Sequence, residues 1–326
     1  MLKLGDIKGH DEIVARLRAG VRDNTLARAY LFYGPEGVGK FSAAKALARA
    51  ANCEQLGAPS NRIDGQAPVR TEECGVCSAC RRIEAGNYPD VHIIDQGYTA
   101  EIKIEDVRAL QQEICLMAYE ARRKVFIIND SHNLNPVAAN AMLKTLEDTP
   151  GQSLIILVTD KPRVLLDTVV SRCRRENFRP LDQAGFSEQL AGLGFDAPTR
   201  GYLAYFCEGR LGLAMRLKGS DILGEKNALI DRFLGGRLED SEIKREELRK
   251  GLVIIAGWFR DVYMTKLGLE NAINADRRRD LEQCAARYGF GDIERIFGTI
   301  SASLGHLEQN VNIKLLTANL QISLKG

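Results

Sequence analysis

The chain has 326 residues, of which 45% are hydrophobic and 27% charged, and its formal net charge is +2 at pH 7. This length favours two or three domains, the composition is that of a soluble globular protein, and the near-neutral charge excludes a strongly basic nucleic-acid scaffold. The most apolar window, 252–259, is too short to span a bilayer, and residues 1–10 contain no apolar signal core. We therefore expect a cytoplasmic protein with no membrane partner.

Short apolar runs alternate with helical patterns in the first half of the chain. Strands are predicted at Ala29–Tyr33, 91–95, 124–129 and 154–159, and helices at 40–51, 107–116 and 138–146. The runs Val-Phe-Ile-Ile and Leu-Ile-Ile-Leu-Val have no polar alternation, which is typical of parallel strands covered on both faces. This alternation of strands and helices predicts an α/β domain with a parallel sheet.

The pattern changes to helices alone after Pro180. Short helices are predicted at 186–193, 199–207, 211–217 and 227–233, followed by a charged stretch at 238–249 that fits a solvated linker or helix face, and by amphipathic patterns over 252–324. We therefore predict three domains: an α/β domain at 1–180, a small helical domain at 181–240 and a helical C-terminal domain at 241–326.

A glycine-rich segment between the first strand and its helix has the pattern of a phosphate-binding loop. Gly34, Gly37 and Gly39 precede Lys40 with the spacing G-x-x-x-x-G-K. The glycines let backbone N–H groups face phosphate, the helix N-terminus favours negative charge, and the lysine reaches the terminal phosphates. The segment predicts a P-loop fold; the alternative is a strand-to-helix turn without a ligand.

Residues that ATP hydrolysis normally requires are missing around this loop. The position after Lys40 normally carries the Ser or Thr that binds magnesium, but here it is Phe41, and Ser42 is turned away by ~100° on a helix. Asp130 ends the acidic strand and retains an oxygen ligand for a metal, whereas Ser131, where a Glu is expected, cannot act as a base. The chain is therefore not expected to be a robust ATPase, while ATP or ADP binding remains open.

Four of the eight cysteines form a cluster with metal-ligand spacing. Cys74, Cys77 and Cys80 are separated by two residues each, and Cys53 precedes them across a stretch, 57–68, that reads as a flexible excursion. Four thiolates close a tetrahedral shell without an open position, so the pattern predicts a structural zinc module over about 53–80. Reduced free thiols or a redox pair are the alternative.

Several segments resemble a known family. Asn-Ala-Met-Leu-Lys-Thr-Leu-Glu at 140–147, Leu-Val-Thr at 157–159 and Ser-Arg-Cys at 171–173 are similar to AAA+ clamp-loader subunits, and the cysteine cluster resembles the zinc module of the bacterial ones. Residues 87–92, residues 104–108 and the poor catalytic residues are similar to the delta-prime type in particular. The resemblance implies an AAA+ domain with an inserted zinc module, then a helical lid and a helical collar.

The resemblance also implies a function. A delta-prime subunit acts as a stator in the DNA polymerase III clamp loader, with gamma/tau and delta subunits as partners, and the complex places a sliding clamp on primed DNA. Arg172 of the Ser-Arg-Cys triplet corresponds to the arginine finger for a neighbour's ATP site, and Thr159 to the family's nucleotide sensor. The second sensor is normally an Arg, and its position carries Gly212 here.

Two other functions compete with this interpretation. One is an active gamma/tau-type AAA+ motor ATPase that tolerates Phe41 and Ser131, and the other is a zinc-containing DNA-binding protein with a vestigial P-loop. The missing catalytic residues weigh against the motor. The near-neutral charge and the lack of a recognised groove-reading motif weigh against the DNA-binding protein.

Overall fold

The chain forms two compact units. In a computed structural model, the described residues are 1–56, 72–97, 101–149, 152–236, 243–269, 272–309 and 311–325. The first unit contains Met1–Asp182 with Arg210–Leu213, and the second contains Gln183–Gly209 with Ala214–Gly326. The predicted boundary at 240 falls at 237–242, outside the described residues, so the separation of 181–240 from 241–326 stays a prediction.

A five-stranded parallel sheet forms the centre of the first unit, with the order β2-β3-β4-β1-β5. The strands are β1 (Ala29–Tyr33), β2 (Val91–Ile94), β3 (Lys124–Ile128), β4 (Ser153–Thr159) and β5 (Arg174–Asn177). The first four match the strands predicted from apolar runs. The fifth was not predicted, because three of its four residues are exposed at the sheet edge and its sequence, Arg-Arg-Glu-Asn, has no apolar signal.

Helices cover both faces of this sheet. They are α1 (Asp11–Arg22), α2 (Lys40–Asn52), α3 (Ser78–Glu84), α4 (Ile104–Cys115), α5 (Pro136–Glu147) and α6 (Asp167–Val170). Successive strand residues point to opposite faces, so Tyr30 and Phe32 pack into one core and Leu31 into the other. The α/β fold class with a parallel sheet is therefore confirmed.

The second unit is helical. Its helices are α7 (Gln183–Gly192), α8 (Ala197–Cys207), α9 (Leu211–Leu217, whose first three residues belong to the first unit), α10 (Ile222–Leu234), α11 (Arg245–Lys266), α12 (Arg278–Arg287), α13 (Phe290–Glu308) and α14 (Ile313–Lys325). Helix α11 is central: it packs against α8, α10, α12 and α13, and it buries Leu252, Trp258 and Phe259 completely. Among the described residues, no helix has the length and apolar content needed to cross a bilayer.

Candidate functional site

The P-loop connects β1 to α2, as predicted, and its glycines are required by the backbone. Gly34, Gly37 and Gly39 have φ angles of 143°, 83° and 95°, a region that side chains rarely allow. A Cβ at position 34 would also collide with the carbonyl oxygen of Phe178. The loop therefore has the strained, glycine-dependent path of a phosphate cradle.

Lys40 is folded back onto this loop. Its Nζ donates to the carbonyl oxygens of Gly34 and Pro35 at 2.7 and 2.6 Å. Burial lowers the pKa of Lys40 to about 8, against the opposing effects of Asp160 and Asp130. The ammonium group thus satisfies loop carbonyls at the place where an incoming phosphate would need it.

The start of α9 closes against the same loop. The N–H of Gly212 donates to Gly37 O at 2.7 Å, and a Cβ on Gly212 would stand 2.8 Å from that oxygen. The position that the resemblance assigns to a second sensor arginine therefore has no room for a side chain in this arrangement. Phe41 packs against the core beside the sheet and supplies no oxygen ligand.

The ends of β3 and β4 lie side by side, and here one detail of the site differs from expectation. Ser131 is fully buried and its Oγ donates to Val158 O at 3.0 Å, so position 131 does not face the site and the expectation that it replaces the water-polarising Glu is wrong. Thr159 is also fully buried, and its hydroxyl is bonded to His132 Nδ1 at 3.2 Å and to the N–H of Lys161 at 3.0 Å.

Two residues that sequence reasoning missed lie at this edge. Asp160 and His132 join Asp130, and one ligand atom from each lies within 4.8 Å of the others. Asp160 directly follows β4 and His132 follows β3 by four residues, which is the position expected for groups at the carboxyl edge of a parallel sheet. A polar residue shortly after a predicted parallel strand is therefore the sequence signal that would have identified Asp160 and His132.

Arg172 lies two residues beyond the end of α6, with its side chain 35% exposed. Its Nε donates to Glu147 Oε1 at 2.8 Å and its Nη1 to Thr168 O at 2.9 Å, so the guanidinium has a defined position on the surface. The adjacent Cys173 anchors the segment in the core, where burial raises the pKa of its thiol to about 12. The triplet therefore combines an exposed cation with a buried anchor.

The four predicted cysteines come together. The sulfur atoms of Cys53, Cys74, Cys77 and Cys80 lie within 4.8 Å of one another. Backbone N–H groups point at them: Cys77 N donates to Cys74 Sγ at 3.2 Å, and Cys74 N to Cys53 Sγ at 3.3 Å. Donation from the Cys80 thiol and from backbone N–H groups lowers the pKa of Cys53. The cluster could hold a metal ion that accepts four thiolates.

The cysteine cluster also joins two helices. Cys53 caps the C-terminus of α2, and Cys77 and Cys80 belong to the start of α3. Gly75 supplies the turn between Cys74 and Cys77 with a φ of 72°. The predicted flexible excursion at 57–68 lies outside the described residues. His92 stacks on Phe126 with ring centroids 4.9 Å apart and is not one of the four ligands.

The fold and the loop define a P-loop α/β protein. A solved structure similar to this chain, a DNA polymerase III gamma subunit-related protein of Thermotoga maritima, has a TM-score of 0.51 at 19% identity, covering 95% of this chain and 98% of that one. The family model described as DNA polymerase III, delta subunit, matches residues 9–182. The chain belongs to this family.

Relatives agree with the family and differ in length. DNA polymerase III subunit delta' of Bacillus subtilis is 26% identical over 328 residues, covering 96% of this chain and 95% of the relative. The delta' subunit of Pseudomonas aeruginosa is 29% identical, covering 72% and 70%. The tau/gamma subunit of Haemophilus influenzae is 32% identical over 71% of this chain, but the chain spans only about a third of that relative, 33%.

Proposed function

We propose that this chain is the stator of a DNA polymerase III clamp loader, the role of a delta-prime subunit, and that Arg172 acts as an arginine finger in the ATP site of a neighbouring subunit. The partners are tau/gamma-type and delta-type subunits, with the sliding clamp and primed DNA bound through the complex. The similarity to a delta' subunit extends over 96% of this chain and supports this assignment, whereas the tau/gamma subunit of Haemophilus influenzae matches 71% of it.

The presentation of Arg172 is the observation on which the proposal depends. A guanidinium is always charged and offers a planar fork to phosphate oxygens. Arg172 is held at the surface by Glu147 and Thr168 while its neighbour Cys173 is buried. This surface position supports a role of Arg172 toward a group outside its own chain, which requires that the bond to Glu147 is first released.

The chain's own P-loop supports the stator over the motor. Lys40 is bonded to its own loop, Gly212 leaves no place for a second sensor, and Phe41 is half-buried against the core. The motor alternative relies on the intact glycines and on Lys40 itself. We propose that Gly34, Gly37, Gly39, Lys40, Asp130 and Thr159 are an inherited nucleotide site, and that any ATP or ADP bound there is not turned over usefully.

Zinc is the metal we assign to the cysteine cluster. A site of four thiolates is typical of structural zinc and leaves no position for a reacting water. Cys53, Cys74, Cys77 and Cys80 would hold the ion and thereby fasten α3 to the end of α2. We place the protein in the cytoplasm, where replication complexes assemble and where a thiolate cluster stays reduced.

Reconstitution of the loader from this chain with tau/gamma and delta subunits tests the finger. Arg172→Ala should leave assembly intact and lower ATP turnover in the presence of clamp and primed DNA, because a finger supplied in trans is worth about 10³–10⁵ at the site that it serves. Arg174→Ala is the matched control, since this neighbouring arginine is exposed and pairs within its own strand with Glu176. Unchanged turnover with Arg172→Ala would contradict the proposal, as would ATP hydrolysis by the chain alone that depends on Lys40.

A further inference from the structure

Three metal-ligating side chains lie together at the carboxyl edge of the sheet, apart from the cysteine cluster. They are Asp130, His132 and Asp160, and each offers one ligand atom within 4.8 Å of the other two. We propose that they bind a divalent transition-metal ion, of the Mn²⁺ or Co²⁺ class, without nucleotide. The proposed stator function uses neither this ion nor His132 or Asp160.

The geometry brings the three groups close to coordinating positions. Strands β3 and β4 are parallel neighbours, so Asp130 and His132 after one strand face Asp160 after the other. His132 Nδ1 is 3.3 Å from Asp160 Oδ1. Ligands bound to one ion at about 2.0–2.2 Å lie roughly 3–4.4 Å apart, so rotamer adjustments of a few tenths of an ångström bring the set to bonding distance.

The backbone at Asp130 is held in an unusual conformation. Its φ and ψ of 46° and 44° are in the left-handed region, where a residue with a side chain is uncommon and often has a functional reason. This conformation lies between β3 and the short 3₁₀ helix that carries His132. It therefore sets the direction from which both side chains approach Asp160.

The site concentrates negative charge in a half-buried place. The His132 and Asp160 side chains are only 3% and 14% exposed, and a carboxylate oxygen of Asp130 lies close to both. The nearest P-loop cation, Lys40, directs its Nζ to carbonyl oxygens of the loop. A divalent ion would stabilise both carboxylates in their charged form.

The mixed ligand set selects the kind of ion. Two carboxylate oxygens and one imidazole nitrogen suit Mn²⁺, Co²⁺ or Zn²⁺, whereas Mg²⁺ and Ca²⁺ prefer oxygen alone. The Thr159 hydroxyl contacts the same His132 Nδ1 at 3.2 Å, so an ion that binds through this nitrogen would replace that hydrogen bond. The site therefore differs in chemistry from the magnesium site of a P-loop, which needs the hydroxyl that Phe41 replaces and the phosphates of a nucleotide.

Binding of Mn²⁺ to the full chain, with its cysteine cluster loaded with zinc and nucleotide left out, tests the proposal. Loss of the free Mn²⁺ electron paramagnetic resonance signal should show one bound ion per chain with a Kd below about 100 µM. Asp160→Asn and His132→Gln should each weaken binding at least about tenfold. Asp167→Asn, at an exposed position at the start of α6, should not change it.

Each outcome decides for or against the site. No Mn²⁺ binding by the wild-type chain overturns the proposal, as does binding that Asp160→Asn leaves unchanged in a protein with wild-type circular dichroism. Binding that appears only with ATP and disappears in Lys40→Ala would show a nucleotide-bound ion and also overturn it. Because Asp160→Asn is nearly isosteric, it keeps the test decisive if His132→Gln fails to fold, and none of these readouts depends on the loader's ATPase.

Discussion

Arg172 and Glu147 form an ion pair between two segments that are 25 residues apart: Nε of the arginine donates to Oε1 of the glutamate at 2.8 Å. Glu147 is the last residue of α5, and Arg172 follows α6. A guanidinium fork bonded to a carboxylate on its own chain cannot present the same N–H groups to a phosphate on another. In the proposed role, Glu147 is therefore released before Arg172 engages its neighbour.

Removal of the ion pair with Glu147 should make it easier for Arg172 to enter the neighbour's ATP site. Glu147→Ala should raise ATP turnover of the reconstituted loader, at subsaturating primed DNA, by up to about fivefold, because exposed ion pairs are worth about 0–1 kcal/mol. Both side chains are partly exposed, 35% for Arg172 and 51% for Glu147, so stability should change little.

A double-mutant cycle checks that the effect acts through the arginine. Glu147→Ala should have no effect on turnover in an Arg172→Ala background, since the restraint and the restrained group are then both absent. Lower turnover in the single variant Glu147→Ala would show instead that the glutamate orients the finger productively.

Gly212 should tolerate no side chain while its N–H contacts the P-loop. Gly212→Ala places a Cβ 2.8 Å from Gly37 O and should cost about 1–3 kcal/mol, because either the loop or the helix start has to shift. Gly201→Ala in α8 is the matched control: a Cβ there meets nothing within 4 Å, so helix propensity should make it neutral or slightly stabilising. Urea unfolding of the two variants measures the difference, and equal stability would refute the close contact.

Sequence patterns predicted the parts of the fold that follow from burial. Strands β3 and β4 were found because each is a run of side chains covered on both faces, and the cysteine cluster because ligand spacing is local. Strand β5 was missed because an edge strand held mainly by backbone pairing with β1 needs no apolar pattern. The side chains of such a strand therefore give no sign that its backbone pairs with a neighbouring strand.

The site was predicted less completely for a related reason. The apolar run of β4 predicted where the strand ends, but not that the buried Thr159 hydroxyl would contact His132 from the neighbouring segment. The pairing of Arg172 with Glu147 and the bond from Gly212 to Gly37 join distant segments. Contacts between distant segments follow no fixed residue spacing, so the sequence alone does not predict them.

Lys40 should make stability depend on pH in a defined window. Its pKa in the fold is about 8 against 10.5 for an ordinary lysine, so between these values the unfolded chain binds more protons and stability rises with pH. The free energy of unfolding of the wild type, relative to Lys40→Met, should therefore increase on the order of 2 kcal/mol between pH 7.5 and 10. Urea titrations of both proteins at the two pH values measure it, and a constant difference would show that Lys40 is not desolvated.

The rate of thiol modification should differ between exposed cysteines, buried cysteines and cysteines that bind zinc. In the zinc-loaded chain, exposed Cys115 should react first with a disulfide reagent at neutral pH, whereas Cys173 should not react, because it is buried and the pKa of its thiol is raised to about 12. A chelator should then release zinc and add the four cluster thiols to the reactive set. Cys115→Ser is the control that should remove only the first reaction. Cluster thiols that react equally fast before and after chelation, or a chain purified without stoichiometric zinc, would contradict the four-thiolate site.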